Sequence, residues 1–197
     1  TVPPTAQIIE AGSISAIIEP GASAVLDALA RGREHALVFF DPNARPSIMG
    51  EPAVALVSLE RFIALADVVK VSDEDIEWLT GGAPIDKVVD RWLRLGPSLV
   101  VVTRGKHGSD VATASGVRFT KTPSDVKVVD TVGAGDSFMG GMIDAMWGMG
   151  LRGADAREAL RSLPEEQVRA IIDRASAVSD VTVSRKGANP PWAHELP

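Results

Sequence analysis

Four short apolar runs, at 7–9, 37–40, 68–69 and 99–102, lack the in-and-out alternation of a half-exposed strand, and segments with helical spacing separate them. A strand that reads as continuously apolar is covered on both faces, and helices flanking a parallel sheet supply that cover. The pattern predicts an α/β domain with a mainly parallel central sheet. Each run gives way at its C-terminal end to small or polar residues: Gly12 and Ser13, Asp41 and Asn43, Lys70 and Ser72, Thr103 and Gly105. In open parallel sheets that edge is where ligands bind.

The intervening segments fit this frame. A helix is expected over 20–30, with Pro20 in its first turn and Gly32 as its stop. Another over 84–95 aligns Val88, Val89, Trp92 and Leu95 and ends at Gly96-Pro97. Residues 108–121 read as two short strands around Ala114-Ser115-Gly116, a hairpin. From Ala134 a helix places Phe138, Met139, Met142, Ile143, Met146 and Trp147 on one side, and a last helix over 165–181 gathers Val168, Ile171, Ile172, Ala175 and Val178. Trp78, Trp92 and Trp147 are expected in the core, and Trp192, after two prolines, is expected to pack the tail.

Composition narrows the function classes. The 197 residues are 45% apolar and 23% charged, with a net charge of -6, enough apolar material for one continuous core. Acidic charge with no basic run excludes a surface attractive to nucleic acid or anionic membrane, and no apolar run approaches a membrane span. Cysteine is absent, so disulfides and thiolate metal sites are excluded and a reducing compartment is permitted. His35, His107 and His194 are scattered without metal-ligand spacing and read as surface or turn residues.

The segment richest in chemistry is Asp130-Thr131-Val132-Gly133-Ala134-Gly135-Asp136-Ser137-Phe138, which joins an extended Val-rich stretch to a helix. Two glycines and an alanine leave the first-turn amides unshielded, at the positive end of the helix dipole, where an anion is the natural occupant. Asp136 falls in the same turn, placed to take a proton from a group reacting beside that anion. Taken alone, Gly-x-Gly with a first-turn acid is also an ordinary helix start. No Gly-Lys-Ser/Thr follows, as a P-loop requires, and Phe138 stands where a dinucleotide fingerprint has its third glycine.

The whole string resembles the Asp-Thr-x-Gly-Ala-Gly-Asp signature of the ribokinase-like, or PfkB, carbohydrate kinases, complete from Asp130 to Asp136. The resemblance implies a three-layer αβα ribokinase-like (Rossmann-like) fold. It implies Asp136 as catalytic base and the amides of Gly133, Ala134 and Gly135 as the anion hole for the transferring phosphoryl group. Asp41-Pro42-Asn43-Ala44-Arg45-Pro46 is similar to the Asp-x-Asn-x-Arg segment of fructokinases and 2-keto-3-deoxygluconate kinases, which implies that Asn43 and Arg45 face substrate or phosphate. Arg offers a planar donor fork suited to anionic oxygens, and the same residues also suit a plain turn.

The family's Asn-x-x-Glu region, which organises hydrated magnesium and nucleotide phosphates, matches Lys70-Val71-Ser72-Asp73-Glu74-Asp75, with Ser72 for Asn and Asp75 for Glu. Both keep oxygen ligands, and Ser72 also reads as a helix N-cap followed by acids. Thr103-Arg104-Gly105-Lys106-His107-Gly108 resembles the family's nucleotide loop, implying Thr103, Gly105 and Gly108 beside ATP; a tight turn into the hairpin reads equally well. Ser184-Arg185-Lys186-Gly187-Ala188-Asn189-Pro190-Pro191 matches the closing stretch that flanks the adenine pocket. Pro191 stands where a cation-dependent relative can offer Ser, which argues against a monovalent-cation requirement.

The resemblance therefore implies an ATP- and Mg²⁺-dependent cytoplasmic sugar kinase, fructokinase-like, with residues 1–197 forming the C-terminal two-thirds of its domain. It begins in the middle of the family pattern, at Gly12 and Ser13. The first strands, most sugar contacts and the β-sheet lid through which family homodimers often form are not represented. The chain opens on Thr1 with no secretory segment and reads as the interior of a longer sequence. If nothing supplies the first strands, one side of the sheet is expected to expose a pairing edge and apolar surface, favouring self-association. The rival reading is a non-catalytic nucleotide or sugar-phosphate binding module.

Overall fold

The computed structural model of the chain describes residues 2–196. Six strands form one sheet in the order β1 (Ile8–Gly12), β2 (Leu37–Asp41), β3 (Val68–Ser72), β4 (Leu99–Thr103), β5 (Ser109–Thr113) and β6 (Arg118–Lys121). The first four run parallel and the last two antiparallel. Around them lie eight α-helices among the described residues: α1 (Gly21–Gly32), α2 (Pro46–Met49), α3 (Pro52–Ile63), α4 (Asp73–Thr80), α5 (Ile85–Leu95), α6 (Ala134–Gly148), α7 (Arg157–Arg161) and α8 (Glu165–Val183).

The unalternating strands feed two separate cores. Val38, Phe40, Val69, Val71, Val100 and Val102 pack with Leu29 of α1, Leu59 and Phe62 of α3, Ile76 of α4 and Trp92 of α5. Their neighbours Leu37, Phe39, Val68, Leu99 and Val101 pack on the opposite face with Met142 and Met146 of α6, Leu160 of α7, and Ile171 and Ile172 of α8. Successive side chains of a strand point to opposite faces, so β2, β3 and β4 are apolar on both faces until their carboxyl ends, Lys70 excepted. The result is the three-layer αβα sandwich expected.

The same parity positions the site. Register sets Glu10 beside Phe39 and Gly12 beside Asp41, and Phe39 beside Val68. Two residues further along each strand, Asp41 and Lys70 therefore share the α6 face with Glu10.

Element ends follow local chemistry. Ser72 opens α4 with a reciprocal capping box to Asp75, and left-handed Gly81 closes it. Gly32 lies inside α1 rather than beyond it, and Pro20 is its N-cap. α8 extends two residues past the expected end, to Val183. Helix α3, with Pro52 in its first turn, was not apparent in the sequence because Val54 and Val57 on its outer side are exposed and blur the stripe.

Two tryptophans depart from expectation. Trp147 is 46% exposed; it follows buried Met146 by one residue, and a 100° step carries it off the α8-facing stripe. There the Arg152 guanidinium stacks over its ring, 4.5 Å from the centroid. Trp192 does not pack the tail and is 74% exposed. Strand β1 has no strand beside its outer edge among the described residues, and Ile14 and Ile18, just beyond it, are exposed. No helix among the described residues is long and apolar enough to cross a membrane.

Candidate active site

The carboxyl ends of β1 to β4 and the first turn of α6 meet at one corner of the sandwich. Gly133 is the N-cap of α6 in the left-handed conformation, φ 77°, which a residue with a Cβ adopts at a cost. The Ala134 N–H donates to the Thr131 carbonyl at 3.2 Å, and the Ser137 N–H donates to the Gly133 carbonyl at 2.9 Å. Of the three amides expected to hold an anion, Ala134 is thus already engaged, while Gly133 and Gly135 have no main-chain acceptor among the described residues.

Asp130 braces this turn. Its carboxylate accepts from the Val132 N–H at 3.1 Å and from the Gly187 N–H at 2.8 Å, and these bonds hold its pKa below the usual carboxylate range. Gly187 and Ala188 are thereby drawn onto the turn, where a Cβ on Gly133 would lie 3.0 Å from the Ala188 Cβ. Asp136, the third residue of α6, is exposed at its mouth.

Beneath the turn lies an ion pair the sequence reading did not assign. Lys70 Nζ is 2.7 Å from Asp41 Oδ2, and both side chains are more than nine-tenths buried. A Cβ on Gly135 would stand 2.9 Å from the same Nζ, so glycine lets α6 settle over the ammonium. The second oxygen of Asp41, Oδ1, is buried without a hydrogen-bond partner among the described residues. Burial, partly countered by Lys70, raises the Asp41 pKa; the charges of Asp75 and Asp136 raise it further. A lysine inside the buried run Val68-Val69-Lys70-Val71 was the available signal, since a buried charge is paired.

The other expected residues close the corner in different ways. Asn43 has φ 37°; its carbonyl accepts from Ser13 Oγ at 3.0 Å. The exposed Arg45 folds back, donating to Asn43 Oδ1 at 2.6 Å and to the Ala44 carbonyl at 2.9 Å. Asp75 Oδ1 accepts from the Ala44 N–H at 3.0 Å, and Oδ2 from the Ser72 N–H at 3.5 Å. Ser72 and Asp75 thus cap α4, and Asp75 at the same time anchors the β2 loop. Thr103 Oγ1 donates to the Val71 carbonyl at 3.3 Å. Gly105 and Gly108 have positive φ. At Gly108 a Cβ would come within 1.9 Å of the Lys121 carbonyl oxygen, so this loop is pinned to its own hairpin.

These groups suit a phosphate chain: free turn amides, a buried ammonium behind them and an exposed carboxylate in front. No cluster of three or more His, Asp or Glu among the described residues is arranged to hold a metal ion. These residues alone would not hold a divalent ion; Mg²⁺ in such a site would keep water and phosphate oxygens as most of its ligands.

Glu10 adds a testable electrostatic feature. Glu10 itself is exposed on β1; partial desolvation of its carboxyl raises its pKa, the neighbouring Asp41 and Asp136 raise it further, and Lys70 opposes them. The folded protein therefore holds the Glu10 proton more tightly than the unfolded chain. That contribution is complete below the ordinary value of 4.5 and disappears as pH rises through the raised one. Glu10→Gln is expected to match the parent in urea unfolding at pH 4 and to exceed it at pH 8. A variant weaker at pH 8 would contradict this assignment.

Comparison with known proteins gives a consistent set of matches. The pfkB family carbohydrate kinase model matches residues 5–195. Probable fructokinase-2 of Arabidopsis thaliana is 33% identical over 189 residues, 94% of this chain and 54% of that protein. The fructokinase of Rhizobium leguminosarum bv. trifolii is 35% identical over 136 residues, 68% of this chain and 41% of that protein. Among solved structures, the fructokinase of Xylella fastidiosa with bound ATP superposes with a TM-score of 0.81 at 28% identity, covering 92% of this chain and 56% of that one. Aminoimidazole riboside kinase from Salmonella enterica gives 0.77 at 26% identity, covering 99% and 63%. The chain spans about half the length of several curated relatives: 54% of probable fructokinase-2 and 55% of probable fructokinase-4 of Arabidopsis thaliana, and 54% of fructokinase-2 of Solanum lycopersicum.

Proposed function

This chain belongs to the pfkB family of carbohydrate kinases, and from that premise we propose that it carries the nucleotide-binding and catalytic portion of an ATP-dependent kinase for fructose or a related sugar. One observation carries the reading: free amides of Gly133 and Gly135 at the mouth of α6, with the exposed Asp136 carboxylate in the same turn. Fructokinases among the similar proteins, including one from Vibrio cholerae solved with fructose, ADP and calcium, favour fructose as the acceptor.

In this reading the turn amides receive the γ-phosphoryl oxygens, where they meet the charge that develops during transfer. Asp136 accepts the proton of the sugar's primary hydroxyl as that oxygen attacks phosphorus. A carboxylate is too weak a base to ionise an alcohol beforehand, so the proton moves late, with the phosphoryl group already arriving. Asn43 and Arg45, on a loop anchored by Asp75, orient sugar or phosphate. Thr103, Gly105 and Gly108 flank the nucleotide at the end of β4. Asp75 and Ser72 would hold hydrated Mg²⁺, which would neutralise phosphate charge when bound.

Coupled measurement of ADP release with ATP, Mg²⁺ and fructose, run beside calorimetric titration of ATP, tests the reading. Fructose-stimulated ADP release is the expected result. ATP binding with no sugar-stimulated release would overturn catalysis in favour of a binding module.

A further inference from the structure

The buried pair below the turn has no place in the chemistry so far. Lys70 interrupts a strand whose neighbours are valines, and its side chain is 5% exposed. Burying such a charge carries a desolvation penalty that its surroundings have to offset. Its Nζ lies between Asp41 and the backbone of Gly135, behind the amides that face the anion. Asp41 pairs with it directly, and the charges of Glu10, Asp75 and Asp136 act electrostatically on Asp41 or its neighbours at this corner. A triphosphate entering that corner without the ammonium would meet carboxylate charge that nothing offsets.

We propose that Lys70 is the built-in counter-cation of the anion turn, a positioning residue that gives the turn its preference for the terminal phosphate of ATP. The inference rests on the kinase reading of the same site. Asp41 fixes the ammonium laterally, and Gly135 lets the turn sit within reach of it. Because the side chain is almost wholly buried, it acts through the turn, by raising the positive potential at the Gly133 and Gly135 amides. ADP lacks the group that the turn receives, so its binding depends far less on Lys70.

The test compares two variants by calorimetry with Mg·ATP and Mg·ADP, with no sugar present: Asp41→Asn, and Asp41→Asn with Lys70→Met. The single variant keeps the cation; the double variant removes it without leaving a buried carboxylate unpaired, and Met matches the lysine stem in shape. Relative to the single variant, the double is expected to bind ATP at least tenfold more weakly and ADP within twofold. Thermal melting of the double at or above that of the single shows that loss of fold is not the cause. Equal losses for both nucleotides, or no loss for ATP, overturn the role of Lys70 while leaving the kinase reading intact. A parent chain that binds neither nucleotide overturns the kinase reading and this inference together.

Discussion

Asp136→Asn is expected to lower sugar-dependent ADP release by roughly 10²–10⁴-fold, the range associated with loss of a positioned general base. The substitution is nearly isosteric and leaves the glycine turn unchanged, so ATP titration of the variant should stay within a few-fold of the parent. Two small effects oppose each other there. Removing an acid from the first turn forfeits about 0.3–1 kcal/mol of favourable interaction with the helix dipole, and it also removes a negative charge facing the phosphates. Because Asp136 is exposed and close enough to act electrostatically on both Glu10 and Asp41, its loss relaxes the carboxylate crowding at this corner. The defect should therefore fall on turnover and not on the Michaelis constant for ATP. Turnover within tenfold of the parent would eliminate Asp136 as the base and leave the turn amides to explain the whole rate.

The parts of this site visible in the sequence are those fixed by local chain geometry. Gly133 and Gly135 at the start of a helix announce exposed amides, and Ser72 followed by Asp75 announces a cap. Both follow from backbone requirements within a few residues. Parts set by register were not legible in the same way. Nothing local says that Lys70 on β3 meets Asp41 on β2, or that Gly135, far along the chain, lies over both. That meeting depends on strand order and on α6 landing across the ends of β2 and β3. The engagement of the Ala134 amide by Thr131 was equally hidden, since it is a property of the closed turn and not of its composition.

For the fold, continuous apolar runs sufficed to place the parallel strands, and Ala114-Ser115-Gly116 to place the hairpin. The sequence was least informative at surfaces. Val54 and Val57 present an apolar outer face on α3 and obscured its period, while Trp147 adjoins the buried stripe of α6 but faces away from the side that α8 covers. In each case an apolar residue outside the core looked like one inside.

The opposite edge of the sheet holds a second buried charge network, and its disruption is expected to be the largest stability effect in the molecule. Asp67, only 1% exposed, precedes β3 and accepts from Arg157 Nε at 2.7 Å and from the Val38 N–H at 2.9 Å. The Arg157 fork also donates to Asp67 Oδ2 and to the carbonyls of Arg33 and Ala36. One guanidinium thus ties α7 to the ends of α1, β2 and β3. Methionine in its place would leave Asp67 buried with the Val38 N–H and, as its charged partner, Arg33, whose Nη2 stands 3.5 Å from Oδ1, and two carbonyls without this donor. Breaking a buried pair by removing one partner costs about 3–5 kcal/mol, a large share of the roughly 5–15 kcal/mol that holds a domain folded. Arg157→Met should accordingly lower the urea midpoint by more than about 1 M, given a slope of about 1–3 kcal/mol per molar. Arg157→Lys keeps the charge but loses the planar fork, and should fall between the two. Because the network lies at the amino ends of β2 and β3, away from the phosphate corner, nucleotide affinity of the folded fraction should not change. A midpoint for Arg157→Met within 0.3 M of the parent, by the same slope about 1 kcal/mol or less, would mean that Arg33 alone neutralises Asp67 and that α7 is held by Leu160 packing instead.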